Sequence, residues 1–346
     1  KSQQTEKATR VKARVKAHAL RELMENKDRI LIMGHKLGDI DSLGAAVGIY
    51  RIAMAMNKKA NIVYNDITSS VRPMIERFTG SSDYPEDMFI KTKQALELAD
   101  PTTILVVVDV NRPSITDAPE LLQAVKTIVV LDHHRQSSEI ISNAVLSYVE
   151  PYASSTCEMV AEVLQYIADG IRIRPAEADA MYAGIVIDTN NFTNQTGVRT
   201  FEAAAYLRRN GADVTRVRKM FRDEMADYKA RALTISNAEI FNDYFAISVC
   251  PSEGIESPTI VGAQAANELL DIIGMKASFV LTPFNGVIYV SARSIDEVNV
   301  QVVMEKLGGG GHRTIAGAQL KDMTIEEAEE KIKEVIRKML EKGDIS

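Results

Sequence analysis

Cysteine and long apolar segments are scarce in this chain, and each absence excludes a class of protein. The 346 residues include two cysteines, Cys157 and Cys250, which are too few for a disulfide framework and typical of a reducing compartment. No window approaches the roughly 20 uninterrupted apolar residues that a membrane-spanning helix requires, and no signal peptide is visible. We therefore expect a soluble chain whose buried thiols behave as small apolar groups.

An excess of positive charge is also missing. The 47 acidic residues outnumber the 41 Lys and Arg residues, which leaves a formal charge of -6 at pH 7. This balance argues against affinity for long nucleic acids through bulk charge, although local basic patches remain possible. A hydrophobic content of 46% argues against disorder, and 346 residues are too many for one core of ordinary size, so we expect two domains.

The amino-terminal segment differs from the rest of the chain because it is basic. Residues 1–29 hold nine Lys or Arg against four Asp or Glu, and apolar residues such as Val11 and Val15 recur at helical spacing. We expect a linker helix with a solvated basic face, with contact to a membrane surface or a nucleic acid as the alternative. Because the chain begins with Lys1 rather than methionine, we expect a longer polypeptide with upstream membrane or regulatory modules.

Short runs rich in Ile and Val alternate with helical patterns along the first part of the chain. This alternation predicts an α/β domain in which helices flank a parallel sheet. In such sheets, ligands gather beyond the carboxyl ends of the strands. The predicted strands are Ile30–Met33, Asn61–Tyr64, Thr103–Val108 and Thr127–Leu131.

The last third of the chain predicts a second, smaller α+β domain. Two apolar runs between Ala277 and Ser294 predict strands joined by a turn at Pro283–Gly286. A terminal helix is predicted to begin with Thr324 as its cap. The predicted layout is a linker helix over 1–29, a metal-binding catalytic domain over 30–200, a helical connector over 201–238 and a substrate-binding domain over 239–346.

Acidic residues and histidines follow several of the predicted strands. Asp132-His133-His134 comes directly behind a buried strand, where a carboxylate is costly unless it meets cations or donors. The carboxyl ends of parallel strands meet at one edge of a sheet, so we expect the clusters to converge. A capped turn with two surface aspartates would explain Asp39 and Asp41 taken alone. The candidate residues are His35, Asp39, Asp41, Asp109, Asp132, His133, His134 and Asp188.

The types of ligand in these clusters predict a metal and a reaction. Carboxylate and imidazole ligands without thiolates favour Mn²⁺ or Mg²⁺, with Fe²⁺, Co²⁺ or Zn²⁺ as competitors. Two ions roughly 3.5 to 4 Å apart are the usual arrangement for in-line displacement at phosphorus. There a bridging hydroxide attacks, and the ions neutralise charge on the phosphoryl oxygens. We therefore expect hydrolysis of a phosphate ester or phosphoanhydride.

Other residues are candidates for binding a substrate phosphate. Gly308 to Gly311 exceed the single glycine that a helix C-cap needs, and their N–H groups could cradle a phosphate beside His312. Arg293 could bind phosphate through two hydrogen bonds or form a surface ion pair. Ser154 and Ser155 either cap a helix or hold a phosphate at its N-terminus. The predicted substrate-binding residues are Arg293, Gly308, Gly309, Gly310, Gly311, His312, Ser154 and Ser155.

These motifs resemble the DHH/DHHA1 phosphoesterase superfamily over nearly the whole chain. The family name matches Asp132-His133-His134, and the second domain of the family carries a glycine-rich run that ends in histidine, here His312. The resemblance implies that His134 faces the substrate phosphate and that Asp132 orients the two histidines. It also implies one metal held by His35, Asp39 and Asp109 and a second held by Asp41, Asp109, His133 and Asp188.

Within the superfamily, the chain is most similar to the catalytic region of GdpP-type (YybT-like) proteins. The similarity implies an Mn²⁺-dependent enzyme that hydrolyses cyclic di-AMP to linear pApA, with Mg²⁺ or Co²⁺ as possible substitutes. It also implies upstream membrane and regulatory modules that place the enzyme at the cytoplasmic face of a bacterial membrane. One departure follows Asp188, where many relatives have glycine after the threonine and this chain has Asn190.

Three other functions compete with this interpretation. A short-oligonucleotide nanoRNase or pAp phosphatase uses the same scaffold. A RecJ-like single-strand exonuclease is disfavoured by the acidic charge and by the lack of a further nucleic-acid-binding module. A non-catalytic nucleotide sensor would have lost at least one ligand, and none is lost. Exposed strand edges in the smaller domain favour a homodimer.

Overall fold

The computed structural model describes residues 2–295 and 297–346. The chain divides into two compact units, one that ends at Arg222 and one that runs from Asp223 to Ser346. Each unit is built around its own six-stranded sheet. Among the described residues, no helix is both long enough and apolar enough to cross a membrane.

The sheet of the first unit is parallel throughout, and its strands lie in the order 3-2-1-4-5-6. All six strands therefore present their carboxyl ends at the same edge. The strands are β1 (Arg29–Met33), β2 (Lys59–Val63), β3 (Phe89–Ile90), β4 (Thr103–Val108), β5 (Thr127–Asp132) and β6 (Leu146–Val149).

Burial on both faces explains why the central strands are continuously apolar. In β4, Ile104 and Val106 join the core on one face of the sheet, while Leu105 and Val107 join the core on the other. Successive side chains of a strand point to opposite faces, so only an unbroken apolar run satisfies both cores. The helices are α1 (Ser2–Glu25), α2 (Ile40–Ala55), α3 (Arg72–Thr79), α4 (Thr92–Leu98), α5 (Leu121–Ala124), α6 (Thr156–Ile167), α7 (Pro175–Asp188), α8 (Val198–Arg209) and α9 (Val214–Met220).

The helices α2, α6 and α7 pack against one another with little space between them. A β-carbon at Gly44 would lie 2.5 Å from the carbonyl oxygen of Ala180, and one at Gly184 would lie 2.5 Å from Sγ of Cys157. Contacts this short exclude any side chain, so both glycines are required by the approach of the helices. Gly44 follows Asp41 by one turn and Gly184 precedes Asp188 by one turn, and the close packing therefore brings these two acids together.

The second unit contains a mixed sheet with strands in the order 11-12-10-9-8-7. Strands 8 and 9 are parallel, and the other neighbours are antiparallel. The elements are α10 (Met225–Ser236), β7 (Glu239–Phe241), β8 (Phe245–Val249), α11 (Pro258–Leu269), β9 (Ala277–Phe284), β10 (Val287–Ser294), α12 (Val300–Glu305), β11 (Gly310–Gly311), β12 (Ile315–Lys321) and α13 (Ile325–Glu341).

The sheet of this unit is covered on both faces by helices. Val290 in β10 belongs to the same core as Ile332 and Ile336 in α13, whereas Val280 in β9 packs into the core formed with Ala265 in α11. The predicted fold class, a parallel-sheet domain followed by a smaller α+β domain, is confirmed. The four predicted strands are β1, β2, β4 and β5, while β3 and β6 were not predicted because each is short and carries little apolar signal.

Candidate metal centre

Four side chains converge at the carboxyl edge of the parallel sheet. Nε2 of His133 lies 3.2 Å from Oδ2 of Asp188, 3.4 Å from Oδ1 of Asp109 and 3.6 Å from Oδ2 of Asp41. The possible ligand atoms of these four residues all lie within 4.8 Å of one another. Three acids and one imidazole thus enclose a space of the size that a metal ion occupies.

Different layers of the fold supply these four residues. Asp109 and His133 directly follow the strands β4 and β5, whereas Asp41 lies in the first turn of α2 and Asp188 is the last residue of α7. Asp109 has a backbone φ of 63°, a left-handed conformation that Asp and Asn adopt more readily than most residues. The cluster therefore depends on the sheet and on the packing of α2 against α7.

Burial and mutual repulsion dominate the electrostatics of the cluster. Burial raises the pKa of Asp41 well above its ordinary value, and the charges of Asp109 and Asp188 raise it further. Burial likewise raises the pKa of Asp109, with the charge of Asp39 as the next contribution. Burial alone would lower the pKa of His133, but the nearby carboxylate of Asp188 and the charge of Asp41 outweigh burial and raise the pKa to about 9. The cluster therefore attracts cations.

A second group of contacts orders the segment Asp132-His133-His134. Oδ1 of Asp132 accepts hydrogen bonds from the backbone N–H groups of His133 and His134 at 2.8 and 3.2 Å, and it lies 2.7 Å from Nδ1 of His134. Its other oxygen accepts from Nδ2 of Asn111 at 2.7 Å. Asp132 is fully buried, and half of the His134 side chain is exposed.

Asn111 was not singled out in the sequence. It follows the candidate ligand Asp109 by two residues, and this short separation was the available signal. Its amide also donates to the carbonyl oxygen of His134 at 3.2 Å. Asn111 therefore holds Asp132 and the turn after β5 in one conformation.

The first predicted ligand group, His35 and Asp39 with Asp109, is less compact. Asp39 is the N-cap of α2 and accepts a hydrogen bond from the N–H of Ser42 at 2.9 Å. The ring of His35 accepts a hydrogen bond at Nδ1 from the N–H of Leu37. Partial burial lowers the pKa of His35, which favours the neutral imidazole. The second group that lies within 4.8 Å among the described residues consists instead of Asp109, His133 and His134.

The donor set fits a divalent cation that prefers oxygen and nitrogen ligands. Nε2 of His133 is buried and has no hydrogen-bond partner among the residues described, although it faces three carboxylates. A buried polar atom is seldom left unpaired, and a metal ion would use both this lone pair and the surrounding negative charge. The nearby thiol of Cys157 donates to the backbone oxygen of Asp41. The set thus suits Mn²⁺ or Mg²⁺.

The three consecutive hydroxyl residues at the start of α6 make different contacts. Ser155 is the N-cap of α6 and accepts from the N–H of Glu158, while the hydroxyl of Ser154 donates to the carboxylate of Glu158. Both serines are buried. Thr156, which was not among the residues predicted from the sequence, contacts both Asp41 and Asp109.

The candidate substrate-binding residues of the second unit lie around β10, β11 and β12. Gly308 and Gly309 border a groove of about 540 Å³ together with Tyr289 and Lys321. A β-carbon at Gly309 would lie 2.1 Å from the carbonyl oxygen of Gly317, so this glycine is required by packing. His312 is exposed and Gly310 has open space around it.

Arg293 is the remaining candidate in this unit. One nitrogen of its guanidinium, Nη1, donates to the carbonyl oxygen of Ala292 at 2.9 Å, while its Nε is buried. No carboxylate in the described part of the chain forms an ion pair with it, and Nε has no hydrogen-bond partner there. A partly buried guanidinium without a counterion is suited to an anionic ligand.

The loop after α7 accommodates the departure noted at Asn190. Asn190, Asn191 and Phe192 have φ values of 46°, 57° and 64°. Asparagine tolerates this left-handed conformation better than most residues with a side chain, so it can stand where the resemblance led us to expect glycine. The hydroxyl of Thr189 accepts from the N–H of Phe192 at 2.9 Å and closes the loop directly behind Asp188.

Comparison with known proteins adds independent information. Residues 29–185 match the model of the DHH family, N-terminal domain, and residues 242–342 match that of the DHHA1 domain. The chain is 44% identical over 346 residues to the cyclic-di-AMP phosphodiesterase GdpP of Geobacillus thermodenitrificans, covering 99% of this chain and 52% of that protein. It is 42% identical to GdpP of Bacillus subtilis with the same coverage.

The chain thus spans about half the length of these curated relatives. Among solved structures, an exopolyphosphatase-related protein from Bacteroides fragilis superposes with a TM-score of 0.78 at 21% identity. The match covers 94% of this chain and 96% of that one. At this identity the similarity concerns the fold.

Proposed function

Because this chain belongs to the DHH/DHHA1 phosphoesterase family, we propose that it hydrolyses cyclic di-AMP to linear pApA. The observation that carries the proposal is the largely buried cluster of Asp41, Asp109, His133 and Asp188, in which an imidazole nitrogen without a hydrogen-bond partner among the described residues faces three carboxylates. The choice of cyclic di-AMP is supported by the names of relatives more than 40% identical over nearly the whole chain.

We assign the proposed cofactor, two Mn²⁺ ions, to residues of the first unit. One ion would be held by Asp41, Asp109, His133 and Asp188. The other would be held by His35 and Asp39 together with Asp109, which would thus be a ligand of both ions. Two such ions lower the pKa of water and neutralise charge on phosphoryl oxygens during in-line displacement, and Mg²⁺ or Co²⁺ would substitute. The raised pKa values of Asp41 and Asp109 support the assignment, because cations relieve this repulsion.

His134 and Asp132 have different roles in the proposed reaction. The hydrogen bond between Nδ1 of His134 and Asp132 leaves Nε2 available to the substrate, and the exposure of this ring is consistent with such contact. His134 would bind a phosphoryl oxygen and stabilise the negative charge on that oxygen in the transition state. Asp132 would hold the ring without touching the substrate.

The second unit is proposed to recognise the substrate through its phosphates. Arg293 offers a guanidinium without a carboxylate partner among the described residues, and Gly308 to Gly311 with His312 offer backbone N–H groups and an imidazole. We retain Ser154 and Ser155 only as weaker candidates, since their hydroxyls are already hydrogen-bonded within the first unit.

For the longer protein, we propose a homodimer with upstream membrane and regulatory modules, located at the cytoplasmic face of a bacterial membrane. The curated relatives are about twice as long as this chain, which supports the additional modules. These features concern the whole protein and not the chemistry of the cluster.

Turnover of four substrates with Mn²⁺ tests the function. We expect rapid cleavage of cyclic di-AMP to pApA, slower cleavage of pApA and pAp, and negligible cleavage of single-stranded DNA. Addition of EDTA should abolish every activity. Rapid pApA cleavage with negligible cyclic di-AMP cleavage would instead establish the oligonucleotide or pAp phosphatase alternative.

Substitution of Arg293 tests the role of the second unit. Arg293→Ala should raise KM for cyclic di-AMP with little change in kcat, because a phosphate contact made equally in the ground and transition states is lost. Lys321→Ala removes a positive charge at the opposite end of the β10–β12 pair and serves as the comparison for a general charge effect. An unchanged KM in Arg293→Ala would refute the assignment.

A further inference from the structure

Thr156 contacts two acids of the metal centre at once. Its hydroxyl donates to Oδ1 of Asp109 at 2.9 Å, and its backbone N–H donates to Oδ2 of Asp41 at 2.9 Å. In each of these two acids, the oxygen that accepts from Thr156 is also the one that lies nearest to Nε2 of His133. Thr156 is fully buried and therefore lies behind the carboxylates, away from solvent.

The start of α6 strengthens this arrangement. The N–H of Cys157 donates to the other oxygen of Asp41 at 2.8 Å, so both oxygens of that carboxylate are held by the first turn of a 12-residue helix. Free N–H groups at a helix N-terminus stabilise negative charge. Here they are used by a carboxylate of the protein itself, which restricts the rotation of Asp41.

The neighbouring hydroxyls do not share this function. Ser155 caps α6 through the N–H of Glu158, and Ser154 binds the side chain of the same glutamate. No hydrogen bond joins either serine hydroxyl to Asp41 or Asp109 among the described residues. Of the three consecutive hydroxyls, only that of Thr156 is directed at the cluster.

We propose that Thr156 is a positioning residue that sets the separation and orientation of the Asp41 and Asp109 carboxylates for metal binding. The inference rests on the proposed metal-dependent function and adds a residue to it. Thr156 does not touch the substrate. It acts through the two acids by keeping the oxygens that face His133 at their observed spacing.

Three substitutions separate the contributions of the hydroxyl and the N–H group. Thr156→Val replaces the hydroxyl with a methyl group of similar size, whereas Thr156→Ser retains it. Thr156→Pro removes the N–H as well. The first residue of α6 after an extended Ser155 accepts proline locally, but the ring carbon would replace the hydrogen that points at Asp41 and would displace that carboxylate. Thr234→Val, which removes a fully buried hydroxyl in α10, is the matched control for loss of folding stability.

The Mn²⁺ affinity of the 346-residue chain, measured by titration calorimetry, is the main readout. Thr156→Val should weaken it by about 10- to 100-fold, as is typical when a partner of a metal ligand is removed. Thr156→Ser should remain within about threefold of the original chain, and Thr156→Pro should bind more weakly than Thr156→Val. Thr234→Val should be unchanged.

Kinetics and folding complete the test. At limiting Mn²⁺, Thr156→Val should lower kcat for cyclic di-AMP while KM changes little, and excess Mn²⁺ should restore part of kcat. If the original chain binds Mn²⁺ and Thr156→Val binds it equally well while remaining folded, the positioning role is overturned. If the original chain itself binds no Mn²⁺, the proposed metal-dependent function fails first, and the two failures are distinguishable.

Discussion

Gly184 on α7 lies so close to Asp41 on α2 that a β-carbon at position 184 would be 3.0 Å from the Cα atom of Asp41. This contact is tighter than ordinary van der Waals packing, and the sulfur of Cys157 closes the same space at 2.5 Å. The position of Asp41 therefore depends on the absence of a side chain at Gly184, which lies on the helix that ends with Asp188.

Gly184→Ala should separate α2 from α7 and move Asp41 away from Asp188. We expect a loss of about 1 to 3 kcal/mol in the free energy of unfolding, as is usual for overpacking, together with weaker Mn²⁺ binding. Urea unfolding with and without Mn²⁺ measures both effects. Ile187→Ala, a change on the exposed side of the same helix, should leave both quantities near their original values. Equal behaviour of the two variants would contradict the steric argument.

Substitutions at Asp109 should separate charge from backbone conformation. Asp109→Asn retains a residue that tolerates the φ of 63° and can still accept from Thr156, but it removes one of the repelling charges. Without metal, it should be at least as stable as the original chain and inactive. Asp109→Ala should also be inactive but less stable, by about 1 to 2 kcal/mol, because alanine adopts the left-handed conformation poorly. Thermal unfolding in EDTA and turnover of cyclic di-AMP provide the measurements. Full activity in either variant would exclude the assigned role of Asp109.

The metal-free protein should lose stability as the pH rises above neutrality. The folded-state pKa of His133 is raised to about 9 from 6.5, so its contribution is fully present below pH 6.5 and is lost as the pH passes through 9. Since the folded state binds more protons than the unfolded state over this interval, the free energy of unfolding should fall, on the order of 1 to 3 kcal/mol.

Denaturation in EDTA at pH 6.5 and pH 9 measures this change. His133→Asn should flatten the decline, because asparagine does not titrate. Saturating Mn²⁺ should also remove it, because the ion takes the place of the proton among the carboxylates. Equal stability of the metal-free original chain at both pH values would show that the acids do not hold the proton of His133.

Asn111→Ala should loosen the segment Asp132-His133-His134, because Asn111 donates hydrogen bonds to both ends of it. The substitution removes the donor to Oδ2 of Asp132, a buried oxygen, and should cost about 1 to 3 kcal/mol of stability. We expect kcat to fall as well, since His134 loses a fixed orientation. Asn111→Asp, of nearly identical shape, should be at least as harmful because it places a second carboxylate beside Asp132. A neutral effect of both substitutions on stability and kcat would rule out this role for Asn111.

Much of the fold follows from local patterns that a sequence displays. The strands β1, β4 and β5 are buried on both faces, so each requires an unbroken apolar run that is visible in the chain, whereas the run in β2 is interrupted by Asn61. The two-residue strand β3 and the half-exposed β6 lack that pattern, because their pairing depends on neighbours already in place. The second domain was predictable for similar reasons, including the Asn285-Gly286 turn between β9 and β10.

The sequence also indicated that Asp109 and His133 would lie together, since strands that run in parallel bring their carboxyl ends to one edge. It could not indicate which hydroxyl at the start of α6 points toward the two acids or that Asn111 holds Asp132. Serine, threonine and asparagine serve as caps, surface residues or internal donors with the same spacing. Which of these roles a residue takes depends on helix packing. In this chain Gly44 and Gly184 allow α2, α6 and α7 to approach closely, and Thr156 therefore lies against Asp41 and Asp109.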